Sequence, residues 1–188
     1  QGVYKGETYN YVTWRKAVLY PQKTGALTLE PLTLNIMVQV SSNRRNLFGD
    51  IVYRQVPKTI TAGKRTINVK ALPEEGKPKN YSGAVGDFDL NFSLNKEVLK
   101  ASESFQATVK VAGRGNLNLF TLPKVNVPAA LEVYEPEHSE NIKTNLLGMQ
   151  GSIQDTYTVV PEFQGNYPIP AVSFSYFDPN KKQYKTLV

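Results

Sequence analysis

Residues 15–36, RKAVLYPQKTGALTLEPLTLNI, match residues 155–176 in pattern when shifted 140 places along the chain, without a gap. Pro21 meets Pro161 and Gly25 meets Gly165. Leu27, Leu29, Leu32, Leu34 and Ile36 meet Tyr167, Ile169, Val172, Phe174 and Tyr176. A lone P-x-x-x-G carries little, because turns use Pro and Gly everywhere. Two punctuators with five apolar positions in register mark two copies of one β-unit.

The second copy shows what that unit is. Thr156-Tyr157-Thr158-Val159-Val160 is β-branched and aromatic, as a strand requires. Pro161 ends the run, and Gly165 lets the chain reverse. Val172, Phe174 and Tyr176 alternate with Ser173 and Ser175, the period of a half-buried strand. The order Pro161, Gly165, Tyr167 is that of a tyrosine corner, in which a Tyr at a strand start bonds back to upstream backbone. A mostly buried Tyr167 ring is expected, with its hydroxyl on a backbone group a few residues upstream.

Period-two runs recur along the rest of the chain. Tyr9 to Tyr20 reads as one long strand and Leu27 to Val40 as a second. Ser41 to Pro57 reads as a loop or irregular hairpin, and Thr59 to Ala71 as a third strand. Three strands fall short of the about seven of a sandwich, so residues 1–71 read as a partial domain truncated at its N-terminal side. Residues 72–85, with Pro73, Pro78, Gly76 and Gly83, read as a linker. Residues 86–188 hold about seven strands with the alternation of a full sandwich. They include Phe88–Leu94, Phe105–Val111, Leu131–Tyr134, Ser152–Val160 and Gln183–Val188, and a strand starting at Leu117 after a Gly113–Asn116 turn. The expected fold is all-β: tandem immunoglobulin-like β-sandwich domains, the first incomplete.

Bulk properties exclude some classes. Hydrophobic residues are 40% and charged residues 20%, enough to bury a core. No apolar run approaches the ~20 residues that cross a bilayer, so no direct membrane insertion is expected. With no cysteine, disulfides and thiolate chemistry are absent. Residues 1–85 carry 13 Lys and Arg against 5 Asp and Glu, whereas residues 86–188 carry 9 against 11. The basic half suits an acidic partner, a phospholipid surface or a nucleic acid.

From Leu72 onward the residues resemble the BatD family, the oxygen-tolerance proteins of bacterial aerotolerance operons. The carrying motifs are Ala71-Leu72-Pro73, Gly76-Lys77-Pro78, Tyr81-Ser82-Gly83-Ala84-Val85-Gly86 and Gly113-Arg114-Gly115-Asn116-Leu117. They continue through Leu122-Pro123, Glu132-Val133-Tyr134-Glu135-Pro136, Pro161-Glu162-Phe163-Gln164-Gly165 and Pro170 to Pro179. The match covers residues ~70–188, and residues 11–40 resemble the end of the family's preceding repeat. The resemblance implies immunoglobulin-like domains facing the periplasm, a membrane-anchored parent, and an internal soluble fragment here. It also implies neighbours: von Willebrand factor A-type envelope proteins and a MoxR-associated complex. It carries over no catalytic residue and no cofactor.

Candidate chemistry is sparse. His138 is the one histidine, and no G-x-S-x-G elbow accompanies it, so an exposed loop histidine is expected and no enzyme. Glu132, Glu135, Glu137 and Glu140, with Asp87 and Asp89, are too loosely spaced for a calcium loop, and no metal is expected. No Gly-rich phosphate loop or nucleic-acid signature is present. Arg44, Arg45, Leu47 and Phe48 are the candidate partner-binding residues: adjacent arginines beside an apolar pair suit a protein anchor, or anionic headgroups. Tyr9, Tyr11, Trp14 and Tyr20 read as core or cross-strand aromatics, and would stack sugars if exposed in a groove. The expected function is a periplasm-facing protein–protein interaction scaffold using strand edges, with a carbohydrate-binding or adhesive module as the alternative. The first domain's apolar face would be covered by the second domain, by strands upstream of Gln1 in the parent protein, or, as expected for this fragment, by a second copy in a homodimer through residues 9–40 that truncation causes.

Overall fold

The computed structural model describes residues 1–13, 15–100 and 102–188. The chain is all-β, with thirteen strands among the described residues. In chain order they are β1 (Gly2–Tyr4), β2 (Glu7–Tyr9), β3 (Gly25–Leu29), β4 (Thr33–Arg45), β5 (Ile51–Thr61), β6 (Arg65–Val69) and β7 (Gly86–Leu94). β8 (Phe105–Gly115), β9 (Leu131–Val133), β10 (Glu137–Asn145), β11 (Gly148–Pro161), β12 (Phe174–Asp178) and β13 (Gln183–Leu187) follow. Two compact units contain them: Pro21–Leu72 is one, and Gln1–Tyr20 groups with Pro73–Val188 in the other. The expected first domain, 1–71, differs in that its first twenty residues belong with the C-terminal unit.

The C-terminal unit is a two-layer β structure. One layer is an antiparallel sheet in the order β10-β11-β8-β7, with β9 on the far end of β11. The other is the β12–β13 hairpin. Alternation explains the sheet's inner face: Phe105, Ala107, Val109 and Val111 of β8 are buried and pair with Val159, Tyr157, Asp155 and Ile153 of β11. Phe88 of β7 stacks edge-on against Phe120, Phe174 and Tyr176, which joins the layers. A second cluster, with Val125, Leu131 and Val172, fills the other end of the core.

β12 is buried along its whole length, Ser175 at 1% exposure included. The alternation of serines and aromatics predicts a strand with one wet face. That face is instead covered by residues 73–85, expected as a linker. Ser175 donates to the side-chain oxygen of Asn80 at 3.0 Å, and the Asn80 amide donates to Ser173 at 3.1 Å. Tyr81 packs edge-on against Tyr184, whose hydroxyl donates to the Pro73 carbonyl at 2.8 Å. Ala84 is fully buried and accepts the Phe177 N–H at 2.9 Å. The serines satisfy their hydroxyls on Asn80, so a polar face can be buried at little cost.

The unit 21–72 is one long antiparallel ribbon. β3 pairs with β6 and β4 with β5, and both pairs share one register: Gly25 opposes Val69, Leu29 opposes Arg65, and Thr33 opposes Thr61. Ala62 N–H to the Leu32 carbonyl, 2.8 Å, carries the ladder across the break at Glu30–Pro31. Pro31 interrupts the strand because it has no N–H to donate. Each side of the ribbon is on the order of 60 Å long.

Two expected elements differ, and a third settles an open alternative. No strand forms over the described residues of 10–20, although the alternation is present: Tyr9 ends β2, and the segment has no cross-strand partner. Ser41–Pro57, expected as a loop or irregular hairpin, is an irregular hairpin: β4 runs to Arg45 and β5 starts at Ile51, residues 46–50 turn, and the register shifts between Ser41 and Arg45. Leu117–Leu119 is a 3₁₀ turn, and Gly113–Gly115 extends β8 instead of turning.

Candidate interaction site

The ribbon exposes an apolar face. Leu34, Ile36, Val38 and Val40 of β4 lie on one side, opposite Ile60, Lys58, Val56 and Arg54 of β5. Ile36 is 36% and Ile60 46% exposed. The other side is polar, with Thr33 bonded to Thr61 and Thr59 to Asn35. The repeat shows what such a face needs. Leu34 and Ile36 align with Phe174 and Tyr176, which a five-stranded sheet reduces to 2% exposure each. Nothing in the ribbon's own unit supplies that sheet. An isolated two-stranded hairpin is marginal in water.

At the ribbon's tip lie the four residues singled out for partner binding. Asn46 organises the turn: its side-chain oxygen accepts the N–H groups of Phe48 and Asp50, each at 2.9 Å, and its amide donates to the Asp50 carboxylate at 3.1 Å. Its backbone N–H and carbonyl bond Asp50 and Gly49. Arg45 donates from Nη1 to the Gly49 carbonyl at 2.7 Å. Leu47 and Phe48 are left pointing into solvent, at 102% and 90% exposure. The four residues are therefore brought together on one turn, Arg45 as a brace and Leu47 and Phe48 as its outermost surface. Arg54 and Lys58, not singled out from the sequence, alternate with Val52 and Val56 along β5.

Other candidates are structural. Tyr167 donates its hydroxyl to the Phe163 carbonyl at 2.7 Å; its ring is half-buried instead of mostly buried, and lies over Gly165, where an added Cβ would sit 3.2 Å from Cζ. Pro161 closes β11 opposite Leu131. The Gly113-Arg114-Gly115-Asn116 motif is a clamp. Asn116 accepts the Val85 N–H at 2.7 Å and donates to the Gly83 carbonyl at 2.9 Å. Sequence reasoning missed Asn116 and Asn80; the signal was a lone Asn after a glycine-rich run, a residue type whose side chain mimics backbone.

His138 lies on the edge strand β10, with Nδ1 2.6 Å from the Asp155 carboxylate. Neither side chain has a hydroxyl within hydrogen-bond reach among the described residues. No group of three or more His, Cys, Asp or Glu side chains converges among them. Asp178 accepts from Lys185 at 2.9 Å; that bond, with the N–H groups of Lys181 and Asn180, holds its carboxyl below the ordinary range and raises the lysine. Burial, then the neighbouring Tyr184, pushes Tyr81 up to about 12. A cleft of about 340 Å³ opens beside Asn80, Ser82, Lys124, Asn126 and Ser173, and one of about 380 Å³ beside Arg114, Asn141, Lys143 and Gln150.

Tyr4, Tyr9 and Tyr11 are exposed around the β1–β2 hairpin, Tyr4 and Tyr9 edge-to-face at 6.2 Å. The expected core placement does not hold for Tyr9 and Tyr11; Trp14 lies outside the described residues. Tyr20 is half-buried and accepts the Met149 N–H at 2.6 Å. No helix among the described residues is long and apolar enough to cross a membrane.

Compared with known proteins, residues 92–187 match the family model of the BatD DUF11-like domain. No curated protein and no solved structure matches the chain.

Proposed function

The chain belongs to the BatD family, and from that premise we propose that it is a non-catalytic protein–protein interaction module of a periplasm-facing envelope protein linked to aerotolerance and stress resistance. The observation that supports this is the uncovered face of the ribbon. Its apolar residues repeat the pattern that β12 buries against a sheet, and both outer edges of the ribbon are unpaired. Covering Leu34, Ile36, Val38, Val40, Val56 and Ile60 from their present exposure is worth about 3–5 kcal/mol. Unpaired edges add the capacity to accept a strand. The partner is a β-sheet with an apolar face; in the parent protein's setting the candidates are the von Willebrand factor A-type proteins and their MoxR-associated complex. In the isolated chain a second copy takes that place.

Titration calorimetry of the chain against a purified von Willebrand factor A-type envelope protein tests the reading. Saturable binding that Ile36→Glu abolishes is expected; no heat with the unsubstituted chain overturns it.

The exposed tyrosines favour a second reading, carbohydrate binding, since aromatic faces in solvent are what sugars stack upon. Binding of cell-wall polysaccharide that is lost in Tyr9→Ala and Tyr11→Ala would support it; equal retention of those variants would remove it.

A further inference from the structure

The tip of the ribbon and its charge point to a second surface, independent of which protein covers the ribbon's face. The unit 21–72 carries eight Lys and Arg against two Asp and Glu, net +6, which is the net charge of the entire chain. The rest of the chain, fourteen against fourteen, is neutral. Among the described residues none of those eight cations lies in a salt bridge; all four pairs are in the other unit. At the ribbon's end Arg44 and Arg45, with Asp50 beside them, meet two adjacent apolar side chains at full exposure, while Lys64, Arg65 and Lys70 lie toward the far end. Single exposed apolar residues are ordinary, but Leu47 and Phe48 side by side at the apex of a turn are not.

The turn is also prepared to lose water. The N–H groups of Asn46, Phe48, Gly49 and Asp50 and the carbonyls of Asn46, Gly49 and Asp50 are bonded within it, the Gly49 carbonyl by Arg45, whereas the Leu47 N–H and the carbonyls of Leu47 and Phe48 are left to water and headgroups, which sets the depth at the headgroups. A backbone entering an apolar medium must satisfy these groups internally. The same inward bonding leaves few polar groups with which to register in a shaped protein pocket. A bilayer asks only for apolar volume and positive charge.

We propose that the tip docks on an anionic phospholipid surface, with Leu47 and Phe48 at the depth of the headgroups and Arg44 against phosphates. This is peripheral contact by a turn, and leaves the expectation of no membrane-spanning segment intact. Each cation near an anionic surface is worth ~1 kcal/mol, and stable attachment needs the apolar and the electrostatic signals together.

The chain has no cysteine, so Phe48→Cys gives a unique site for an environment-sensitive dye, with Leu147→Cys, 94% exposed in the other unit, as the control. The full 188-residue chain is mixed with vesicles of phosphatidylcholine, with or without phosphatidylglycerol, and sedimented. Expected are binding only to the anionic vesicles, a blue-shifted emission at position 48 and none at 147. Leu47→Ser with Phe48→Ser should weaken binding at least tenfold, and Arg44→Gln about fivefold, the equivalent of ~1 kcal/mol. Circular dichroism confirms that the variants keep their strands. Failure to bind anionic vesicles overturns the proposal, as does binding that the Leu47 and Phe48 substitutions leave unchanged. Loss of binding to a purified protein partner, with vesicle binding intact, assigns the tip to a protein pocket and overturns it equally.

Discussion

Asn116→Ala should unfasten residues 83–85 from the sheet. In the native chain the Asn116 side chain makes two short bonds, to the Val85 N–H at 2.7 Å and the Gly83 carbonyl at 2.9 Å, both partly buried. Alanine fills neither role. A hydrogen bond is worth about 0.5–1.5 kcal/mol net, and a buried group left unpaired costs about 1–3 kcal/mol. For two partly buried groups the loss works out at about 2–4 kcal/mol. The assay is urea unfolding of the whole chain, followed by near-ultraviolet circular dichroism, which reads the packed rings of Tyr157, Tyr176 and Tyr184. Asn116→Asp separates the two bonds: its carboxylate keeps the acceptor for Val85 but faces the Gly83 carbonyl with another oxygen. It should therefore regain stability relative to alanine as the carboxyl protonates and can donate. A loss below about 0.5 kcal/mol for Asn116→Ala, within the scatter of surface substitutions, would refute the clamp.

Tyr167→Phe removes one bond, to the Phe163 carbonyl, and should cost about 1 kcal/mol in the same titration; an unchanged midpoint would show that the corner closes without it. Gly113→Ala places a Cβ 2.2 Å from the Asp87 carbonyl oxygen at φ +151°, so two strands must part; a loss above about 3 kcal/mol is expected, and a melting point near that of the unsubstituted chain would contradict the strand spacing. Asp178 is depressed in the folded state, so its stabilisation is present above the ordinary carboxyl value of 3.8 and is lost as pH falls through the folded value. Lys185 is raised, so its share is present below 10.5 and lost as pH climbs through its folded value. Asp178→Asn should flatten the acid limb of a melting-temperature profile, and an unchanged limb would remove the pair from the account of acid stability.

Strands that alternate and have a partner in sequence order were legible. Phe105–Val111 and Phe88–Leu94 sit next to each other in chain and sheet, and their apolar sets point to one core. The described residues of 10–20 alternate as well but form no strand pair, and periodicity is silent about partners. β5 was obscured because Arg54, Lys58 and Pro57 dilute its apolar residues, and its only mate is the strand before it. Burial of Ser175 depends on Asn80, 95 positions away, so no local window holds the information. At the candidate site the residue types at 44–48 drew attention, but not the inward bonding of Asn46 that leaves Leu47 and Phe48 outward. The concentration of all net charge in residues 21–72 was divided differently, at residue 85, until the units were known.

Light scattering on the 188-residue chain, paired with its Ile36→Glu variant, addresses the ribbon most directly. If the face bearing Leu34, Ile36 and Ile60 is an interaction surface, the unsubstituted chain has twice the 21.0 kDa mass of one chain at high concentration, and the variant has the mass of one. A carboxylate set at position 36 must be desolvated in such a contact, and Lys58 directly across the ribbon offsets only part of that cost. A chain that stays at 21.0 kDa throughout, with Ile36→Glu as soluble and as stable as the original, would contradict the ribbon as a docking surface.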